Sequence, residues 1–183
     1  MNFCSVCGAR VALRVPEGDN RPRWCCEQCG SIHYENPRLV VGTLPVWEDK
    51  VLLCRRAIEP RLGYWTLPAG FMENGETVQD GALRETTEEA GAHVELSGLH
   101  AIYDVPEVHQ VHVYFRAALI DTDFAPGVES LEVRLFAESE LPWEELAFRT
   151  VVMALRAHFS DRRTGAPQLH TGIATAARHG AGD

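Results

Sequence analysis

The chain has 183 residues, of which 45% are hydrophobic and 23% charged, as is ordinary for a globular protein with one α/β domain and a small module. Seventeen basic and 26 acidic residues give a net charge of −9, which disfavours nonspecific binding to nucleic acid. The sequence has neither an apolar run of 18 residues nor a leading basic and apolar segment. We therefore expect no membrane span and no secretory signal, and a cytoplasmic location.

Four of the six cysteines form two pairs, each with two intervening residues and a glycine after the second cysteine. The pairs are Cys4 and Cys7, and Cys26 and Cys29. Such knuckles are typical of one tetrahedral Zn2+ site, whose metal supplies folding energy that a short segment lacks. The spacing predicts a structural zinc ribbon over residues 1–36. Cys25 is the alternative to Cys26 but breaks the spacing, and Cys54 is expected to be a small buried side chain.

Residues 37–160 alternate strand and helix patterns, which indicates an α/β domain. Strands are predicted over 39–46, 50–56, 93–103 and 108–120 and before Phe136, and helices after Gly70, from Leu141 and around Val151–Phe159. Trp65 is expected in the core rather than in the wall of a site. From residue 161 onward no periodicity is visible, and the segment 161–183 is predicted to be a disordered tail.

The most informative stretch runs from Gly70 to Ala92, where a glycine-bearing loop leads into an acidic helix. Glu85, Glu88 and Glu89 stand at i, i+3 and i+4, so a helix places their carboxylates on one side. Like charges at this spacing repel each other unless a cation lies among them. Mg2+ suits such a cluster because it takes its other ligands from water and substrate phosphates. A solvated helix face is the alternative reading.

These residues resemble the Nudix box, with every fixed position of that pattern present. The matching positions are Gly70, Glu76, Arg84, Glu85, Glu88, Glu89 and Gly91. The chain departs at Thr86 and Ala92, where the family usually has a bulky aliphatic residue. The resemblance covers roughly residues 38–160. It implies a Nudix-type α/β/α sandwich with a mixed sheet, and hydrolysis of nucleoside diphosphates linked to another group with Mg2+ or Mn2+ as cofactor.

The resemblance also assigns roles to individual residues. The implied Mg2+ ligands are Glu85, Glu88, Glu89 and the carbonyl of Gly70. Arg84 and Glu76 resemble the pair that holds the loop and orients a neighbouring carboxylate. In many Nudix enzymes a glutamate before a later strand supplies a further ligand or a base. Glu132, four residues before Phe136, fits that place best, and Glu129 is second.

Substrate-binding residues are less constrained by the sequence. An adenosine half requires an aromatic or arginine surface, for which the candidates are Arg38, Trp47, Tyr103 and Tyr114. Arg55 is a candidate phosphate contact, although a solvated arginine is equally consistent. Along the strand predicted over 108–120, the face bearing His112 and Tyr114 either lines a ligand cleft or faces outward.

The combination of ribbon and box reduces the number of candidate substrates. Bacterial NADH pyrophosphatases also have a zinc ribbon, but the Ser-Gln-Pro-Trp-Trp run that they carry downstream of the box is absent here. Residues 34–38 and 67–73 are more similar to the group containing FAD and ADP-ribose pyrophosphatases. ADP-ribose or FAD is therefore the expected substrate, with NADH hydrolysis or a non-catalytic ligand sensor as alternatives. The expected partner is a small nucleotide, not nucleic acid or membrane, and a homodimer is left open.

Overall fold

The structure is a computed structural model that describes residues 1–175, and the chain divides into two units, Met1–Pro37 and Arg38–Asp183. The first unit is an antiparallel sheet of β1 (Val11–Arg14), β2 (Arg23–Cys26) and β3 (Ile32–His33), in that order. The first cysteine pair lies in a tight turn before β1, and the second spans the last residue of β2, Cys26, and the turn that follows it. Each turn closes when the N–H of its glycine, at positive φ, donates to the carbonyl of the first cysteine.

The second unit is built on one mixed sheet. Its strands are β4 (Arg38–Trp47), β5 (Lys50–Arg56), β6 (Trp65–Thr66), β7 (Ala69–Phe71), β8 (Val94–Val105), β9 (Gln110–Leu119), β10 (Ser130–Phe136) and β11 (His170–Ile173). The main order is β10-β5-β4-β9-β8-β11, with β6 pairing with β5 and β7 with β4. The pairs β4–β9 and β8–β11 are parallel and the others antiparallel.

Two helices cover opposite faces of this sheet. α1 (Val78–Ala90) begins at a capping box formed by Thr77 and Asp80 and packs on Val41, Val113 and Phe115. α2 (Arg149–Thr164) packs on the face that bears Leu44 and Tyr114. Because successive strand residues point to opposite faces, adjacent residues of β9 enter different cores. The predicted α/β/α sandwich is confirmed. Neither helix of residues 1–175 has the length and apolar character needed to cross a membrane.

The two departures from the usual box pattern are accommodated in the packing of α1. Thr86 is fully buried, and its hydroxyl donates to the carbonyl of Ala82 at 2.7 Å and lies 2.7 Å from the hydroxyl of Thr43 on β4. A satisfied pair of hydroxyls therefore replaces an aliphatic contact between helix and sheet. Ala92 is buried beside Leu52 and Leu119, so neither position leaves the helix unpacked.

Two expectations about the C-terminal part are wrong. No α-helix starts at Leu141: Trp143–Glu145 form one 3-10 turn, and the chain then runs extended because the Ala147 N–H donates to the carbonyl of Trp65. The predicted disorder is also wrong for residues 161–175, where α2 continues to Thr164 and β11 pairs with β8. Residues 176–183 of the predicted tail lie outside the described residues. Trp65 is in the core, as expected.

Candidate active site

A cleft of about 1860 Å³ in the second unit is lined by β7, α1, the start of α2 and the loop before β10. It brings together most of the residues that the box implied. Those that line it are Gly70, Arg84, Glu85, Glu88 and Glu89. They converge because β7 lies beside the N-terminal half of β4, while α1 crosses the same strand on one face.

The carboxylates of α1 have different surroundings although they share one side of the helix. Glu88 is exposed, Glu85 is half-buried and Glu89 is buried. Burial, with a smaller contribution from the nearby charges of Glu85 and Glu129, raises the pKa of Glu89 to about 8. Burial also raises the pKa of Glu85 above its usual value. The Ala69 N–H donates to Oε2 of Glu89 at 3.1 Å and fixes that carboxylate toward β7.

Arg84 organises the entrance to the cleft through five hydrogen bonds. Its Nε and Nη2 donate to the two carboxylate oxygens of Glu76 at 3.0 and 2.8 Å, a bidentate pair that lowers the pKa of Glu76 to about 2. Nη1 donates to Glu85 at 2.7 Å and Glu88 at 3.0 Å, and Nη2 also donates to the carbonyl of Phe71. One guanidinium thus joins the loop to two carboxylates of the cluster.

The cluster fits a divalent cation on two observations of the protein itself. Buried carboxylates with raised pKa values are destabilised as anions unless a cation lies among them. In addition, a β-carbon at Gly70 would overlap the Glu85 carboxylate, so the backbone of Gly70 and this side chain share one small space. Oxygen donors of this kind suit Mg2+ or Mn2+.

The predicted fourth glutamate, Glu132, is not in the cleft. It lies on β10 opposite Arg55, with 3.8 Å between its Oε2 and Arg55 Nη1, and its side chain is 47% exposed. Glu129, three residues earlier, does line the cleft, and its charge raises the pKa of both Glu85 and Glu89. The preceding loop brings it there, because the Gly127 N–H donates to the carbonyl of Glu89 at 3.1 Å.

None of the five candidate substrate-binding residues lines the cleft, and Trp47 instead packs beside Leu52. Tyr103 and Tyr114 are each only 2% exposed and belong to the core under α2, so their rings are not ligand surfaces. Arg55 donates to the carbonyl of Gly63 and points away from the cleft, whereas Arg56, on the other face of β5, lines it. Arg38 stacks over the ring of Phe71, 4.6 Å from its centroid, and so contacts a residue that lines the cleft.

The cleft contains binding groups that sequence reasoning did not select. Phe71 and Phe148 line it, and the guanidinium of Arg56 lies 5.1 Å from the Phe148 centroid. The lining arginines of the described chain are Arg56, Arg61, Arg84, Arg149 and Arg156. Aromatic rings and guanidinium groups in the same cleft as a carboxylate cluster suit a ligand with a planar base and several phosphate oxygens. Nothing in the local sequence around Phe148 signals this position.

His112 also lines the cleft, which resolves the two readings of its strand face. Its Nδ1 lies 3.0 Å from the Thr150 hydroxyl and its Nε2 lies 2.9 Å from the side-chain oxygen of Gln110. Because a side-chain amide oxygen only accepts, Nε2 carries the proton and Nδ1 accepts from Thr150. Burial lowers the pKa of His112 to about 4, so the ring is neutral at physiological pH. In the cleft lining, His112 is therefore a neutral hydrogen-bonding side chain and not a positive charge.

In the first unit, the sulfur atoms of the four predicted zinc ligands lie within 4.8 Å of one another. Cys4 and Cys29 sulfurs are 3.6 Å apart and those of Cys7 and Cys26 are 3.5 Å apart. Thiolates about 2.3 Å from one tetrahedral ion lie roughly 3.8 Å apart, so the quartet fits Zn2+. Cys25 faces away, with its sulfur 3.5 Å from the carbonyl of Arg23.

Comparison with known proteins gives the same division of the chain. A family model described as NUDIX domain matches residues 36–155, and one described as Nudix N-terminal, a zinc ribbon, matches residues 2–35. Among solved structures, a NUDIX hydrolase from Nitrosomonas europaea is 55% identical with a TM-score of 0.93. The match covers 96% of this chain and 100% of that one.

Curated relatives are more distant. ADP-ribose pyrophosphatase of Methanocaldococcus jannaschii is 31% identical over 119 residues, which are 63% of this chain and 69% of that protein. NAD-capped RNA hydrolase NudC of Pseudomonas aeruginosa is 31% identical over 173 residues, which are 91% of this chain and 58% of that protein. The chain therefore matches little more than half the length of this second relative.

Proposed function

This chain belongs to the Nudix hydrolase family, and we propose that it is a Mg2+- or Mn2+-dependent pyrophosphohydrolase that cleaves the diphosphate linkage of ADP-ribose or FAD. The products are AMP and ribose 5-phosphate from ADP-ribose, or AMP and FMN from FAD. One observation supports this proposal above all others. A single cleft contains a half-buried carboxylate cluster, five arginines and two exposed or half-exposed aromatic rings.

The side chains divide the work by charge. Glu85, Glu88, Glu89 and Glu129, with the carbonyl of Gly70, are the groups that would hold divalent cations. Such cations, when bound, neutralise phosphate oxygens and lower the pKa of a water. Arg84 fixes two of the carboxylates, so the cluster is arranged before the substrate arrives. Arg56 and Arg149 also line the cleft and supply positive charge to a diphosphate group.

Hydrolysis by this arrangement is a direct displacement at phosphorus. No cysteine or serine of the described chain is among the residues that line the cleft, so the lining offers no such nucleophile for a covalent intermediate. We infer that water is the nucleophile, and its proton passes to a nearby carboxylate as the phosphorus–oxygen bond of the leaving phosphate breaks.

The ranking of substrates rests on resemblance and on the relative named ADP-ribose pyrophosphatase. NAD-type substrates are the second candidate, because the relatives named NAD-capped RNA hydrolase align with both the ribbon and the Nudix domain. That name also raises the question of whether this chain acts on a nucleic acid. The net charge of −9 disfavours nonspecific binding to nucleic acid. For the ribbon we propose one structural Zn2+, since four thiolates leave no open coordination position.

The test compares ADP-ribose, FAD, NADH and an NAD-capped oligonucleotide at equal concentration with Mg2+ and with Mn2+. A preference for ADP-ribose or FAD is expected, and a clear preference for either NAD-type substrate would overturn the ranking. A single turnover in 18O-labelled water should place label in a product phosphate. Unlabelled product from the first turnover would contradict direct attack.

The assignment of the site is tested separately. Glu88→Gln and Glu89→Gln keep the side-chain size but remove charge, so each should lower kcat by orders of magnitude while circular dichroism stays unchanged. Glu73→Gln is the matched control, because Glu73 lines the cleft but the box assigns it no role. If both box variants kept most of their activity at saturating Mg2+, the active site would lie elsewhere.

A further inference from the structure

A second group of possible metal ligands lies away from the cleft, where β8, α2 and β11 meet. His100 of β8, Asp161 of α2 and His170 of β11 each place a ligand atom within 4.8 Å of the other two. His100 is fully buried, and the other two are half-buried. All three are outside the set of residues 1–175 that lines the cleft. The box and the ribbon therefore leave this cluster without a role.

The protonation of His100 prepares it as a ligand. Its Nε2 lies 2.9 Å from the carbonyl oxygen of Ala154, and a carbonyl only accepts, so Nε2 carries the proton. Nδ1 then carries a lone pair, and it is buried without a hydrogen-bond partner among the described residues. Buried polar atoms are rarely left in that state. A histidine that donates one ring N–H to a backbone carbonyl is the form that commonly ligates a metal through its other nitrogen.

The other two residues are spaced as neighbouring ligands. Nε2 of His170 is 3.0 Å from each carboxylate oxygen of Asp161. Two donors about 2.1 Å from one tetrahedral ion lie roughly 3.4 Å apart, so a separation a few tenths of an ångström larger would let both bind one ion. The Gln168 N–H donates to Oδ2 of Asp161 at 3.1 Å, which orients the carboxylate as ligating carboxylates usually are oriented.

We propose that His100, Asp161 and His170 bind a first-row divalent transition metal such as Zn2+, Co2+ or Ni2+. Two imidazoles and one carboxylate favour these ions over Mg2+, which prefers oxygen donors. The ion would join an inner strand, a helix and the edge strand β11. β11 leads directly to Ala174 and Thr175, which line the cleft, so the ion would also hold that part of the wall. This site is independent of the proposed function.

The test measures metal in the full chain with its ribbon zinc in place and millimolar Mg2+ to occupy the glutamate cluster. After incubation with Zn2+ and gel filtration, the unaltered protein should hold one zinc ion per chain in addition to the ribbon zinc. The His170→Ala and Asp161→Asn variants should each lack this additional ion. His93→Ala, at an exposed position, is the control and should keep it. The melting temperature should rise with Zn2+ in the unaltered protein and in His93→Ala only.

Co2+ gives a readout that needs no variant. Added to protein that holds zinc only in its ribbon, it should produce visible d–d bands without the near-ultraviolet thiolate charge-transfer band of a cysteine site. The proposal is overturned if the unaltered protein holds no ion beyond the ribbon zinc. It is also overturned if the extra ion persists in both variants, which would leave Asp161 and His170 as an ordinary ion pair.

Discussion

Glu129 and Glu132 are only three positions apart, yet Glu129 lines the carboxylate cleft while Glu132 faces Arg55 at the edge of the sheet. We therefore expect Glu129→Gln to lower kcat at least tenfold more than Glu132→Gln. The reason is that only the first change removes charge from beside Glu85 and Glu89. Steady-state kinetics at saturating Mg2+ measures both variants. A larger loss in Glu132→Gln would contradict this assignment.

The raised pKa of Glu89 predicts a pH-dependent stability in Mg2+-free buffer. Folding raises this pKa from 4.5 to about 8, so between these values the folded chain holds a proton that the unfolded chain has lost. Stability from this group is therefore complete below pH 4.5 and is lost as the pH rises through 8. Relative to Glu89→Gln, the unaltered protein should lose up to a few kcal/mol between pH 5 and pH 8.5.

Urea denaturation at several pH values checks this difference, without chelators that would remove the ribbon zinc. Millimolar Mg2+ should reduce it, because a cation beside Glu89 favours the ionised carboxylate. For the same reason the apparent Mg2+ affinity should increase from pH 6 to pH 8.5. Parallel stability curves for the two proteins would show that Glu89 titrates near its usual pKa.

The ribbon gives a prediction that separates two adjacent cysteines. Cys26→Ser should lower the zinc content by one ion per chain, because Cys26 sulfur belongs to the quartet. Cys25→Ser should keep that ion, because the Cys25 sulfur lies near backbone carbonyls instead. Elemental analysis of proteins purified without chelator measures both. Unchanged zinc in Cys26→Ser would transfer the role to another ligand.

Phe71 tests how the base of the substrate is held. Its ring is 46% exposed, lines the cleft and carries Arg38 over one face. We expect Phe71→Ala to raise KM about tenfold, within the range of about 1–3 kcal/mol for base stacking on an aromatic ring. Tyr114→Phe, which alters only a buried hydroxyl, should leave KM unchanged. An unchanged KM in Phe71→Ala would place the base elsewhere.

The sequence predicts the box well because its residues lie in one loop and one helix. Glu85, Glu88 and Glu89 share a helical side by spacing alone, and the knuckle spacing likewise predicts the cysteine quartet. Glu129 reaches the cluster only through the path of a loop that bonds to the end of α1. No local sequence pattern predicts the path of that loop. The spacing before Phe136 therefore favoured Glu132 instead.

The prediction that Tyr103 and Tyr114 form a ligand surface failed for a different physical reason. Alternation along β9 correctly predicts two faces, but both faces are covered by helices in a sandwich. A polar side chain on such a face need not contact solvent or ligand, because it can form its hydrogen bonds within the core. The Tyr114 hydroxyl does so, since it lies 3.3 Å from the Thr150 hydroxyl. Only the position of α2 along the sheet decides that His112 reaches the cleft while Tyr114 is enclosed.

The short strand β11 also governs how this sheet ends. β8 pairs with β9 on one side, and on its other side β11 pairs with residues 101–104. An uncovered strand edge offers free N–H and C=O groups on which a strand of another molecule can align. β11 is itself the edge strand, but with four residues it offers fewer such groups than the twelve-residue β8 would offer in its place. A short final strand therefore limits the length of edge on which another molecule could add a strand beside His100.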